Sequence, residues 1–245
     1  ANELLLLARA HARSIETDAL RARVPLFAHA APPLPLLAPQ TARDAPVSSL
    51  RVGLLSGDFK RHPVTILLAP VLVELRRLRA RVHLVLFALN RDPRDEWGAM
   101  LRQAADELVE LASLDDAAAA RRVREAQLHV LLDLNGLHSR GARPAILAAR
   151  PAPLQGTHLG YGASCGARFI ELVLADKLSL PPERFSSGAF DEKFVLLPPS
   201  HLPSGHAALF PQLLQPAPRS CCAPGGAARG GGSDGGAGSG DGGDG

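Results

Sequence analysis

Aromatic residues are scarce, at 4% of the chain with one tryptophan and one tyrosine. Leu, Val, Ile and Ala must therefore fill any core. Cysteine is scarcer: Cys165, Cys221 and Cys222 make neither a disulfide framework nor a metal-ligand spacing. That usage leads us to expect a reducing compartment and no bound metal. No apolar run approaches the roughly 18 residues that span a bilayer. Leu4–Leu7 is too short for a signal-peptide core and follows Glu3 rather than a basic segment. Runs of Lys and Arg with interleaved aromatics are missing, and the formal charge is only +3, so neither a nucleic-acid partner nor a membrane is expected. A G-x-G-x-x-G run is missing too, which excludes the dinucleotide fingerprint. Glycine is rare outside one place: 12 of the 23 fall between Gly225 and Gly245.

What remains is enough for a sizeable core, since 46% of the 245 residues are hydrophobic. Residues 1–24 read as a helical connection rich in Leu, Ala and Arg, with its helix over Asn2 to Arg23. Residues 25–49 follow as a stiff linker carrying six prolines. From Leu50 the texture changes to short apolar runs alternating with helical segments, the pattern of a parallel α/β layer. Strands are predicted at Leu50–Leu55, Val82–Leu89, His129–Leu134, Leu154–Leu159, Leu172–Ala175 and Lys193–Leu197, with a weaker one near Leu108–Leu111. Helices are predicted at Pro63–Arg79, Asp95–Asp106, Asp115–Ala126 and Ala142–Ala149. Pro63 suits the first turn of its helix, where a missing N–H matters little. Residues 50–202 thus form a Rossmann-like domain. The pattern dissolves after Pro198, and residues 203–245 read as a low-complexity, largely disordered tail. The chain opens on Ala1 and its one methionine is Met100, from which we expect a piece of a longer protein.

Three polar segments fall at the carboxyl ends of predicted strands, where open α/β sheets bind ligands. These are Ser56 to Pro63, Asp133 to Gly136, and Leu159 to Gly162. His62, just ahead of a helix start, would feel the positive end of the helix dipole, which disfavours imidazolium. It reads either as a ligand-contacting imidazole or as a capping histidine. Asn135 and Gly136 read as a site or as an ordinary turn. Gly160 and Tyr161 read as a close backbone approach or as a loop.

Taken in order, these segments resemble the catalytic region of protein O-GlcNAc transferases and the related SPINDLY proteins. The resemblance is carried by Leu50 to Val64, Asp133 to Gly136, Gly141 with Arg143, Arg150 to Gln155, and Leu159 to Tyr161. Pro181 to Glu183, Glu192 with Lys193, and Leu197 with Pro198 extend it. The likeness implies the amino-terminal lobe of a GT-B glycosyltransferase. It further implies inverting transfer of N-acetylglucosamine from UDP-GlcNAc to Ser/Thr hydroxyls of cytoplasmic and nuclear proteins, with no essential metal. His62 would be the base or a donor contact, and Asn135, Gly136, Gly160 and Tyr161 would line the cleft. Two features depart from the family. Its Gly-Tyr-Pro-Gly-Thr-Ser-Gly becomes the run Gly160 to Gly166, which loses the proline, and its Leu-Pro-His becomes Leu197, Pro198 and Pro199, with His201 two residues on. The lobe that binds the nucleotide is not evident, so the chain is expected to be inactive alone. The alternatives are a fragment of a SPINDLY-type O-fucosyltransferase and a non-catalytic one-lobed binding module.

Overall fold

The structure is a computed structural model. It describes residues 49–78, 81–91, 95–136, 141–162, 164–184, 190–203 and 205–214. The expected helix over Asn2 to Arg23, the linker up to residue 48, and the tail from residue 215 lie outside the described residues.

Seven parallel strands form one sheet: β1 (Leu50–Ser56), β2 (Val82–Ala88), β3 (Glu107–Glu110), β4 (Val130–Asp133), β5 (Leu154–Thr157), β6 (Leu172–Ala175) and β7 (Lys193–Leu196). Their spatial order is β3-β2-β1-β4-β5-β6-β7. Parallel neighbours need crossovers, and the four from β1 through β5 are supplied by α1 (Pro63–Arg77), α2 (Glu96–Ala104), α3 (Asp116–Glu125) and α4 (Pro144–Ala148). Each strand in the sequence reading is present, including the weak one, which becomes edge strand β3.

Alternation along β1 and β2 divides the core between two faces. Leu54, Leu84 and Leu86 meet Val64, Leu68 and Leu72 of α1 and Leu101 of α2. Leu55, Val85 and Phe87 point the other way, onto Ala119, Ala120 and Val123 of α3 and Ile146 and Leu147 of α4. Small alanines on α3 let that helix sit close to the sheet, which suits a core poor in aromatics. The caps are legible in the sequence. Asp95 accepts from Gly98 N at 3.0 Å, and Asp115 accepts from Ala118 N at 2.7 Å, each satisfying an orphan N–H of a first turn. Pro63 occupies its helix start as expected, and Pro144 opens the helix predicted from Ala142.

Part of the span read as low-complexity tail is ordered. Residues His206–Leu209 form a short helix α5, followed by a 3-10 turn at Pro211–Leu214. Gly205 sits against the ring of Pro70 in α1, so closely that an added Cβ would lie 2.2 Å from Pro70 Cγ. Among the described residues no helix is long and apolar enough to cross a membrane.

Candidate functional site

Strand order reverses between β1 and β4, the topological switch point where the carboxyl-edge loops part and leave a crevice. Leu55 pairs with Asp133 at the last register position, so the loops after these residues face one another. Asn135, 2% exposed, bridges them. Its Oδ1 accepts from Gly57 N at 2.6 Å, and its Nδ2 donates to Asp58 Oδ2 at 2.7 Å. The other Asp58 oxygen lies 3.3 Å from Lys60 Nζ. Ser56 Oγ accepts from Asp58 N at 3.0 Å, and Thr65 of α1 donates to the Asp58 carbonyl at 2.7 Å. The carboxylate of Asp58 is thereby fixed in place. The sequence reading included Asp58 in a polar segment without singling it out; its position beyond β1 was the available signal.

His62 is the N-cap of α1: its Nδ1 accepts from Val64 N at 3.3 Å. The capping reading is therefore correct as geometry, and it has a chemical consequence. While Nδ1 accepts that bond, a neutral ring carries its proton on Nε2, which leaves that N–H as its one donor. Asp58 Oδ2 is 3.9 Å from the same Nδ1. The imidazole and the carboxylate thus lie side by side at the start of α1.

Gly136, Gly160 and Tyr161 are brought together, chiefly by packing. Gly136 has φ +65° and its absent Cβ would lie 2.3 Å from Tyr161 Cβ. At Gly160 a Cβ would lie 1.9 Å from the carbonyl oxygen of Leu134. The β4 and β5 loops therefore interlock through positions where no side chain fits. Leu159, at φ +66°, is held in the left-handed region although it is not glycine, a strained backbone at the crevice wall. Beyond it, Glu192 clamps the altered loop, accepting from Ser164 Oγ at 2.8 Å and Cys165 N at 2.6 Å. Burial and the nearby Glu192 and Asp133 carboxylates push the Cys165 thiol well above its ordinary range, so it behaves as a small apolar group.

Two buried titratable groups at this edge went unmarked in the sequence reading. Asp133 is pushed up to about 6 by burial, against opposing hydrogen bonds from the Asn135 and Gly136 backbone. His158 is pushed down to about 4 by burial, with the charge of His201 adding to the effect. Their contributions run in opposite senses. The folded state holds a proton on Asp133 that the unfolded chain has released, so stability falls as pH rises from about 4 to about 6. The unfolded chain protonates His158 while the fold keeps it neutral, so stability falls as pH drops from about 6.5 to about 4. Each amounts to roughly 3 kcal/mol, and over the shared window they offset one another. Asp133→Asn keeps an acceptor for Asn135 N and removes the first gradient. We expect it to stabilise the fold by about 2 kcal/mol at pH 8 and to leave it unchanged at pH 4, read by urea unfolding. Equal effects at both pH values would contradict a carboxylate whose burial outweighs its hydrogen bonds.

Among the described residues no group of three His, Cys, Asp or Glu is arranged to hold a metal ion.

Comparison with known proteins decides the family, because the model of glycosyl transferase family 41 matches residues 35–220. The chain belongs to that family. It is 28% identical over 194 residues to the probable UDP-N-acetylglucosamine–peptide N-acetylglucosaminyltransferase SEC of Arabidopsis thaliana, covering 79% of this chain and 19% of that protein. It is 30% identical over 165 residues to the UDP-N-acetylglucosamine–peptide N-acetylglucosaminyltransferase of Caenorhabditis elegans, covering 67% of this chain and 14% of that one. A solved structure of a mutant Thermobaculum terrenum O-GlcNAc transferase superposes with a TM-score of 0.61 at 28% identity, covering 68% of this chain and 31% of that one. This family 41 chain therefore spans less than a fifth of the length of these two curated relatives. The Rossmann-like fold expected from the sequence is the fold found.

Proposed function

We propose that this chain forms the amino-terminal catalytic lobe of a protein O-GlcNAc transferase, acting on Ser and Thr hydroxyls of cytoplasmic or nuclear proteins. The observation that carries the reading is the Asp58–Asn135–His62 constellation at the switch point of a family 41 sheet. In an inverting displacement the acceptor oxygen bonds to the anomeric carbon as the bond to UDP breaks, and the hydroxyl proton passes to a base. In this reading Asp58, fixed by Asn135, accepts that proton. His62 Nε2–H donates to an oxygen of the sugar nucleotide as charge develops there. In this reading a second lobe holds the uridine and pyrophosphate, and this chain alone does not turn over. The sequence resemblance to SPINDLY-type O-fucosyltransferases supplies the second reading, O-fucosyl transfer, although the Arabidopsis SPINDLY relative, 24% identical over 139 residues, is itself named a probable N-acetylglucosaminyltransferase. Offering UDP-GlcNAc and GDP-fucose side by side decides between them.

The test separates capping from chemistry at His62. Asparagine is a strong N-cap residue, so His62→Asn keeps the bond to Val64 N and removes Nε2–H. With this chain joined to the carboxyl-terminal lobe of the Arabidopsis relative, we expect His62→Asn to leave the melting temperature unchanged. Transfer should fall by about 100-fold, the loss typical of a missing oxyanion-type donor. Unchanged transfer would make His62 a cap and nothing more.

A further inference from the structure

Asp176 immediately follows β6 at the same carboxyl edge and is 3% exposed. Its Oδ1 accepts from Leu178 N at 2.8 Å and Ser179 N at 2.7 Å. Its Oδ2 accepts from Ser200 Oγ at 3.1 Å and His201 N at 2.8 Å. The first two close the turn after β6, and the last two already fasten the chain beyond β7 to the end of β6. The backbone N–H groups of Ser179 and His201, the His201 imidazole and the Leu178 N–H hold the carboxylate well below its ordinary range. The His201 ring is additional to the fastening: its Nδ1 lies 2.6 Å from Asp176 Oδ2 and 3.2 Å from Ser179 Oγ.

A carboxylate only accepts, so Nδ1 carries the hydrogen and the free lone pair of the neutral ring is on Nε2. That nitrogen has no hydrogen-bond partner among the described residues, and the side chain is 16% exposed. A ring oriented by a buried carboxylate, with the opposite nitrogen open, is the arrangement that makes histidine a positioned proton or hydrogen-bond acceptor. Its surroundings connect it to the crevice. The His158 ring stands edge-on with centroids 6.1 Å apart. His158 leads through Leu159 to Gly160, which packs on Leu134 and Asn135.

We propose that His201, oriented by Asp176, is a second ligand contact of this crevice, its Nε2 accepting a hydrogen bond from an aliphatic hydroxyl of the bound ligand. The proposal rests on the transferase reading, which supplies two sources of such hydroxyls: the sugar and the Ser or Thr acceptor.

The experiment uses the full 245-residue chain, 15N-labelled at histidine and joined to the unlabelled carboxyl-terminal lobe of the Arabidopsis relative, observing the imidazole nitrogens at pH 8. We expect His201 in the Nδ1–H form and Asp176→Asn to abolish that preference. UDP-GlcNAc or a serine-bearing peptide should move the His201 Nε2 resonance, and whichever probe does so names the source of the hydroxyl. His201→Gln leaves the four other Asp176 donors in place. It should weaken binding of that probe by about tenfold, the value of one hydrogen bond, with no change in melting temperature. A His62 response to UDP-GlcNAc with His201 silent to both probes overturns this inference and leaves the transferase reading standing. Silence of both histidines overturns both. An Nε2–H form of His201, or a loss of affinity matched by a loss of melting temperature, reduces the residue to a fastener and overturns the inference.

Discussion

Replacing Asn135 with alanine is expected to destabilise the fold by about 3 kcal/mol and to abolish any ligand binding at the β1–β4 crevice. The side chain is buried and makes two bonds across the switch point, from Gly57 N at 2.6 Å and to Asp58 Oδ2 at 2.7 Å. Alanine leaves a buried backbone N–H unpaired and deprives a carboxylate of its neutral donor. Each such loss is worth about 1–3 kcal/mol. Lys60 still reaches the other Asp58 oxygen, which keeps the sum toward the lower end. Asn135→Asp is the informative companion. It retains the acceptor for Gly57 N but sets a second carboxylate against Asp58, so its defect should ease as pH falls from 7 to 5. Urea unfolding of both variants at the two pH values checks this. An Asn135→Ala effect within about 0.5 kcal/mol, the range of neutral surface changes, would show that the bridge holds nothing.

Gly160→Ala should be at least as damaging, by more than about 3 kcal/mol. The added methyl would sit 1.9 Å from Leu134 O, 2.6 Å from Leu134 C and 2.7 Å from Asn135 C. All three are backbone atoms, so no rotamer change relieves the clash and the β4 and β5 loops must separate. Separation displaces Asn135, so the variant should lose the Gly57 and Asp58 bonds as well. Gly162→Ala, only two residues on, meets nothing within 4 Å and should change stability by less than about 0.5 kcal/mol. Chemical denaturation of the pair is the measurement. Similar effects at the two glycines would contradict the interlocked loops.

The sheet was legible because the strands are short apolar runs bounded by charged helices, and because Asp95 and Asp115 announce their helices. The switch-point loops were legible by position alone: His62, Asn135, Gly136, Gly160 and Tyr161 all fall at one edge. What they do there was not. Nothing local marks Gly160 as a contact with Leu134, because that approach exists only once β4 and β5 are paired. His62 was weighed as cap against ligand, and the Nδ1 bond to Val64 shows that a cap leaves Nε2 available for the other task. Asp176 and His201 are 25 residues apart, and neither belongs to a motif that spacing could reveal. His158 and Asp133 look like ordinary strand-end residues until burial shifts their titration. Sequence pattern reports periodicity and local chemistry; long-range pairing and desolvation appear only in the folded chain.

The most direct test joins this chain to the carboxyl-terminal lobe of a family 41 relative and measures transfer of labelled sugar to a Ser/Thr protein substrate. The account predicts transfer from UDP-GlcNAc that disappears in Asp58→Asn while the variant still unfolds cooperatively. A cooperatively folded fusion that transfers from neither UDP-GlcNAc nor GDP-fucose would contradict it.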